Sequence, residues 1–202
     1  MTGGRHTQVS FDFCLGVAEV RAITHGEAHD LVVSYHYSKR FPSGAVYLYG
    51  KYVEGQLVGV CVFGSPASPW VSVSATGERN RVLELQRLAL INNEPNEATW
   101  LIARSLRLLR REWTGMVVSY ADTAQGHHGG VYQAAGFFYA GKSDARTDIY
   151  AGGKHPRHHN GDSTVRQPRS AKHRYWIYVP RNLKNGPSLW PKLPYPKPDA
   201  PQ

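Results

Sequence analysis

The rhythm of apolar and polar positions changes several times along the chain, and each change marks an element. Residues 9–24 alternate, the period of a half-buried strand, and residues 26–37 switch to helical spacing before Pro42-Ser43-Gly44. Two aromatic and β-branched runs, AVYLYGKYV (45–53) and QLVGVCVFG (56–64), flank Glu54-Gly55 and predict a β-hairpin. Ser65-Pro66-Ala67-Ser68-Pro69 interrupts the pattern, since proline donates no backbone hydrogen bond, and a loop is expected to about residue 80. VLELQRLALI (82–91) predicts a strand that ends at Asn92-Asn93-Glu94-Pro95. From Asn96, the residues Trp100, Ile102, Ala103, Leu106, Leu109 and Trp113 recur at steps suited to one helix face, with Arg104, Arg107, Arg110 and Arg111 largely elsewhere. The apolar run 116–120 predicts a buried central strand, followed by a polar loop with glycines (122–130), a brief helix (131–136) and a strand (137–141). Residues 151–170, rich in Gly, Pro, His and Arg, read as a mobile basic loop; HRYWIYV (173–179) is a last strand and 190–197 a Pro-rich extended arm.

This order predicts an α/β (α+β) fold, a mixed central β-sheet flanked by helices. At 202 residues the chain suits one domain. Residues 1–150 supply its core, and residues 151–202 complete the same domain with the basic loop, the final strand and the arm.

Charge adds a partner class. The formal net charge is +9, and from Lys142 to the last residue 12 Lys and Arg face four Asp. That excess in the C-terminal quarter points to a polyanion such as a phosphate backbone. Lys154, Arg157, Arg166, Arg169, Lys172 and Arg174 are the expected phosphate contacts. Cys14 and Cys61 show neither pairing nor metal-ligand spacing. His155, His158 and His159 sit among Pro and Arg without cysteine partners, which suits phosphate contact better than zinc. No apolar run is long enough to span a membrane, and the first residues lack the apolar stretch of a secretory signal.

The sharpest local feature is Val118-Ser119-Tyr120-Ala121-Asp122 followed, after nine intervening residues, by Tyr132-Gln133-Ala134-Ala135-Gly136-Phe137. A carboxylate at the mouth of an apolar strand can take a proton from an amine, and it equally well caps the turn that follows. The Tyr132 phenol can serve as an acid or simply pack. Arg87 offers a planar donor fork to a phosphate or carboxylate, or lies along the surface. Glu84, three residues earlier, falls on the opposite face of a regular strand, so the two are not expected to act as a pair.

These motifs, with Glu84-Leu85-Gln86-Arg87-Leu88 and Leu193-Pro194-Tyr195-Pro196-Lys197, make the chain similar to the Mom family of phage DNA adenine-modification enzymes, over about residues 20–197. The resemblance implies a GNAT-like acyltransferase fold and transfer of an acyl-type, methylcarbamoyl-like group to the N6 amine of adenine in DNA, with protection from restriction enzymes. It further implies double-stranded DNA as partner, with the target base flipped out, and work in the cytoplasm of an infected bacterium. Asp122, Tyr132, Ser119, His36 and Tyr37 become the expected catalytic set. The acyl donor stays open, with acyl-CoA a candidate, and a metal ion at His36 or His127 is a second candidate cofactor. Arg87, Asn96 and Thr99 are placed at the donor, although the turn before the long helix has no glycine and carries Glu94 and Glu97, which would repel a pyrophosphate. Tyr47, Tyr49, Trp70 and Tyr139 are candidates to stack on an extruded base. Two other readings share the fold: a non-catalytic DNA-binding protein, and a general acetyl-CoA-dependent N-acetyltransferase.

Overall fold

A computed structural model describes residues 18–150, 165–180 and 188–197. Its strands are β1 (Glu19–Ala22), β2 (Ala45–Val53), β3 (Gln56–Gly64), β4 (Val82–Leu90), β5 (Gly115–Asp122), β6 (Phe138–Lys142), β7 (Arg146–Tyr150), β8 (Val165–Arg169) and β9 (Lys172–Val179). Its helices are α1 (His25–Tyr35), α2 (Pro69–Thr76), α3 (Glu97–Leu109) and the short α4 (Gly130–Ala134). Seven strands form one sheet in the order β1-β2-β3-β4-β5-β9-β6, and β7 and β8 pair as a separate ribbon. Only β4 and β5 run parallel; the other pairings in this sheet are antiparallel.

Helices cover both faces. Leu101, Ile102, Leu106 and Leu109 of α3 pack on Cys61, Phe63, Leu83, Leu85, Val117 and Tyr175. On the other face, Ala28, Leu31 and Val32 of α1 meet Val60, Val62 and Ala89. Ala75 of α2 lies there with Met116, Val118, Trp176 and Trp190. No helix among the described residues is long and apolar enough to cross a membrane.

Two segments differ from the sequence expectation. Residues 69–76, expected as loop, are α2: the Ser68 side chain caps the helix, Pro69 occupies its first turn, and Gly77 ends it in the left-handed region at φ 79°. Residues 165–169, expected as part of a mobile loop, pair with β7 from Arg146↔Arg169 to Tyr150↔Val165. The rest of that expected loop, 151–164, and the start of the expected first strand lie outside the described residues. The arm is docked protein: Leu189 N–H donates to Ala75 O, Leu193 N–H to Tyr139 O, and the Tyr195 hydroxyl to Phe137 O.

A β-bulge in β4 positions the site. Phe63 pairs with Leu85 but Val62 pairs with Arg87, so Gln86 is an extra residue on its strand. The extra residue reverses side-chain parity. Leu83 and Leu85 point to the α3 face before it, Leu88 and Leu90 after it. Glu84 and Arg87 therefore share the α1 face, contrary to the expectation from a regular strand, and each feels the other's charge.

Candidate active site

The parallel pairing of β4 and β5 covers Val82↔Met116, Leu83↔Val117 and Glu84↔Val118, and ends there. Beyond that point β4 continues with β3, whereas β5 continues with β9 to Asp122↔Lys172. The two strands fork, and the Ser119 hydroxyl bridges the crotch by donating to Leu85 O at 3.3 Å. Most of the residues singled out in the sequence gather around this fork.

Tyr132 reaches it from α4. Its ring packs on Phe137 and Tyr175, and its hydroxyl is buried in hydrogen bond with Ser119. Burial raises the phenol to about 12, the Ser119 bond opposing the rise. The helix is set by its neighbours: the Tyr175 hydroxyl donates to His128 O, and Gln133 Nε2 donates to that hydroxyl at 3.1 Å. Gly129, at φ 83°, leaves room for this, because a Cβ there would lie 2.3 Å from the Tyr175 ring.

Asp122 closes β5. Its Oδ1 accepts from Ala124 N–H at 3.0 Å and from the Ser170 hydroxyl, and its Oδ2 pairs with Lys172 Nζ at 3.1 Å. Burial alone would raise this carboxyl; the Ser170, Lys172 and Ala124 donors outweigh it and hold the group below its ordinary range. Asp122 is thus an ionised cap on the turn after β5 and a latch onto the β8–β9 junction.

His36 and Tyr37 follow the end of α1. The His36 and Tyr37 rings stack with centroids 4.3 Å apart, and Tyr37 meets His127 at 5.9 Å. The Tyr37 hydroxyl is raised by burial and by Asp122, against Arg87. Ser38 N–H donates to His36 Nδ1 at 3.1 Å, which fixes Nδ1 as acceptor and leaves the neutral ring's proton on Nε2. Burial, then the positive charges of Arg87, His127 and Lys39, push His36 down to about 4. A ring so held donates from Nε2 at neutral pH and does not offer that atom's lone pair to a metal. Among the described residues no group of three or more His, Cys, Asp or Glu is placed to hold a metal ion. His36 and His127, where the family resemblance implies a metal ion, stand in no such group among the described residues.

The depressed His36 also sets a pH dependence. The unfolded chain binds this proton near the ordinary 6.5 and the folded chain only near 4. Stability from this residue is thus complete above 6.5 and falls as pH drops from there toward 4. His36→Asn, whose side-chain oxygen can still accept from Ser38 N–H, should lose less stability than the parent between pH 7 and 5 in urea unfolding. Equal losses would assign the slope to other groups.

The donor and DNA residues separate. Arg87 Nε donates to Arg40 O at 3.0 Å and its Nη1 to Gln86 O at 2.6 Å, so much of its fork is spent on backbone. Asn96 precedes α3 at φ 65° without a side-chain cap, and Thr99 lies in the first turns of α3. Before this start Glu97 Oε2 accepts from Glu94 N–H, and Glu97 Oε1 pairs with buried Lys51. Lys154 and Arg157 lie outside the described residues, and Arg166 is placed in β8. Arg169 stands at the β8 end, its charge felt by Glu84, and Lys172 is engaged by Asp122. Arg174 donates to Ala140 O at 3.2 Å and lies over the Trp190 ring. Of the stacking candidates, Tyr49 and Tyr139 are core and Tyr47 packs against it, whereas Trp70 is 65% exposed with the Arg79 guanidinium beside it.

Glu84, whose pairing with Arg87 was not expected on strand parity, also stands here. It is half-buried at the fork, with Ala67 N–H donating to its Oε2 at 3.3 Å. Burial raises its carboxyl, against Ala67, Arg87, Lys172 and Arg169. Two carboxyls flank Lys172, one driven up and one held down.

Solved acetyltransferases share this architecture. An N-acetyltransferase from Staphylococcus aureus matches 81% of this chain and 99% of its own at TM-score 0.51 and 13% identity. A protein of Staphylococcus epidermidis described as a probable acetyltransferase matches the same shares of the two chains at TM-score 0.52 and 8% identity. The fold is the GNAT fold. In sequence, the chain is 32% identical over 127 residues to methylcarbamoylase mom of Escherichia phage Mu, a match over 58% of this chain, which spans about half the length of that curated relative (51%). The model of the Mom protein family matches residues 17–197, and with nearly the whole described structure inside that match, the chain belongs to the Mom protein family.

Proposed function

We propose that this protein is a DNA-modifying transferase that places an acyl-type, methylcarbamoyl-like group on the N6 amine of adenine. The observation that carries the reading is the family match over residues 17–197, joined by a relative that is named a methylcarbamoylase. The fork supports it with a buried hydroxyl, two carboxyls in opposed electrostatic settings and bordering cations.

An adenine amine in a duplex is turned into the stack, so the base is extruded or the duplex melted before reaction. Exposed Trp70, with Arg79, is the aromatic group suited to meet an unstacked base, and Arg169 and the cations beyond the described residues suit the phosphates. At the reacting carbonyl, a phenol as weakly acidic as Tyr132 keeps its proton and stabilises developing negative charge by hydrogen bonding. Asp122 supports the site by holding Lys172 and the turn after β5.

The fold family implies acyl-CoA. The α3 start does not fit its pyrophosphate: the turn carries Glu94 and Glu97, and Glu97 already accepts the local N–H and pairs with Lys51. No step is therefore assigned to CoA, and the donor is written as an activated acyl compound. The same observation favours a second reading, a DNA-binding protein on this fold without transfer chemistry.

One experiment separates the two. The protein is co-expressed with a plasmid, the plasmid digested to nucleosides, and the nucleosides weighed. An adenosine mass shift that requires the protein is the expected result. Unmodified nucleosides beside a well-expressed, DNA-bound protein would leave the second reading standing.

A further inference from the structure

The β7–β8 ribbon stands outside the seven-stranded sheet: its five register pairs, from Arg146↔Arg169 to Tyr150↔Val165, join the two strands only to each other. A two-stranded ribbon is marginal in water by itself, and this one is fastened at its root. Ser143 N–H donates to Lys172 O at 2.8 Å, and Lys172 N–H to the Ser143 hydroxyl at 2.9 Å. Beside them the Ser170 hydroxyl donates to Asp122, and Ala171 O accepts from Thr123 N–H at 3.3 Å and from the Thr123 hydroxyl at 2.8 Å. The root is thus tied to the ends of β5 and β9 at the mouth of the fork, where the Arg169 charge reaches Glu84 and Tyr120. The ribbon's own charge is one-sided, with Arg146, Arg166 and Arg169 against Asp148. Arg146 and Arg169 sit directly across from each other. Like charges so placed destabilise a strand pair, a cost that a polyanion lying along it reverses. Pro168, exposed in β8, removes a donor from the outer edge, which disfavours another strand as the partner.

We propose that this ribbon lies in the major groove of duplex DNA beside the target adenine and seats the substrate on the fork. The inference rests on DNA as the partner, which the transferase reading and the DNA-binding reading share. Width selects the groove. Strands about 4.8 Å apart, with their side chains, make a ribbon that fits a groove about 12 Å wide and not one about 6 Å wide. The chemistry selects the same groove, because the N6 amine of adenine lies on the major-groove edge of the base pair. A ribbon in that groove, rooted at the mouth of the fork, brings the fork and the amine to one side of the duplex. Arg146, Arg166 and Arg169 then meet the phosphates that wall the groove. The latch from Asp122 and Thr123 to Ser170 and Ala171 sets the angle at which the ribbon leaves the sheet, so a motif residue at the end of β5 orients the DNA-holding element.

Duplex affinity and its salt dependence, read by fluorescence anisotropy, test this for the parent and for Arg146→Gln combined with Arg166→Gln. The double variant keeps Arg169, the arginine beside Glu84. Three substrates are compared: a plain duplex, the same duplex with glucosylated 5-hydroxymethylcytosine, whose sugar projects from C5 into the major groove, and the plain duplex with netropsin in its minor groove. The parent is expected to bind the glucosylated duplex at least about 10-fold more weakly than the plain one and to bind equally well with and without netropsin. The double variant is expected to bind the plain duplex at least about 10-fold more weakly than the parent, with the slope of log affinity against log salt reduced by about 2 and Tm unchanged. Equal binding of the parent to the plain and glucosylated duplexes overturns the proposal. So does displacement by netropsin, an unchanged salt slope in the double variant, or weaker binding joined to a lower Tm, which marks a structural role. Plasmid modification is a separate readout: a parent that meets these expectations but leaves adenosine unmodified ends the transferase reading and keeps the ribbon, whereas one that modifies adenosine but ignores the sugar in the major groove keeps the transferase and ends this proposal.

Discussion

Tyr132→Phe should leave plasmid DNA with about 10²- to 10⁴-fold less modified adenosine than the parent, the range lost when a positioned acid or hydrogen-bond donor is removed. The ring keeps its packing on Phe137 and Tyr175, so the fold changes little; the missing bond to Ser119 costs about 1 kcal/mol. A large loss of product with a small loss of Tm is therefore the signature, read by nucleoside mass spectrometry and thermal unfolding on the same preparations. Parent-like modification by the phenylalanine variant would remove Tyr132 from the chemistry and leave it a packing residue.

The second large effect is on stability. Lys51 and Glu97 form an ion pair with side chains 7% and 10% exposed, joining β2 to the first turn of α3. Lys51→Met leaves the Glu97 carboxylate buried without its counter-charge, and removal of one partner of such a pair costs about 3–5 kcal/mol. Lys51→Met combined with Glu97→Gln should recover most of that loss, since no unpaired charge remains. Denaturant unfolding of both variants provides the measurement. A loss under about 1 kcal/mol in the single variant would show the pair to be as solvated as a surface one.

The long-period features were legible in the sequence. The aromatic and β-branched runs 45–53 and 56–64 around Glu54-Gly55 and the apolar stripe of 97–109 give β2, β3 and α3 at nearly the expected bounds, because strand composition beside a turn and burial of one helix face are local marks. The α2 helix was hidden by its own start signal. Ser68-Pro69 looks like a break but is a cap with proline in the first turn, and Gly77 is the matching stop. The Gln86 bulge had no local mark at all: a glutamine between Leu85 and Arg87 is ordinary strand sequence, and only the register with β3 shows that two strand periods are spliced there. That hidden splice is why Glu84 and Arg87 were not expected to act as a pair. The competing role for Asp122, a cap on the following turn, was visible from its place before a polar loop. Its partners Ser170 and Lys172, 48 and 50 residues on, were not, because such pairs depend on β9 returning beside β5.

That return governs how the molecule can be made. β9 lies between β5 and β6, although both precede it in the chain. A nascent chain that has emerged only through β6 holds two strands with no neighbour between them, and the aromatic side chains Trp176 and Tyr178 that fill one face beside Met116 and Val118 are still missing. The last bond of that face, from Trp190 Nε1–H to the Ser74 hydroxyl, closes a loop of 116 residues. Local hairpin and helix formation can begin early on the ribosome. The sheet that carries the fork is completed only after β9 has been synthesised and inserted, so assembly of the site is a late, long-range event, and the unfinished edges of β5 and β6 are the surfaces most exposed to mispairing until then.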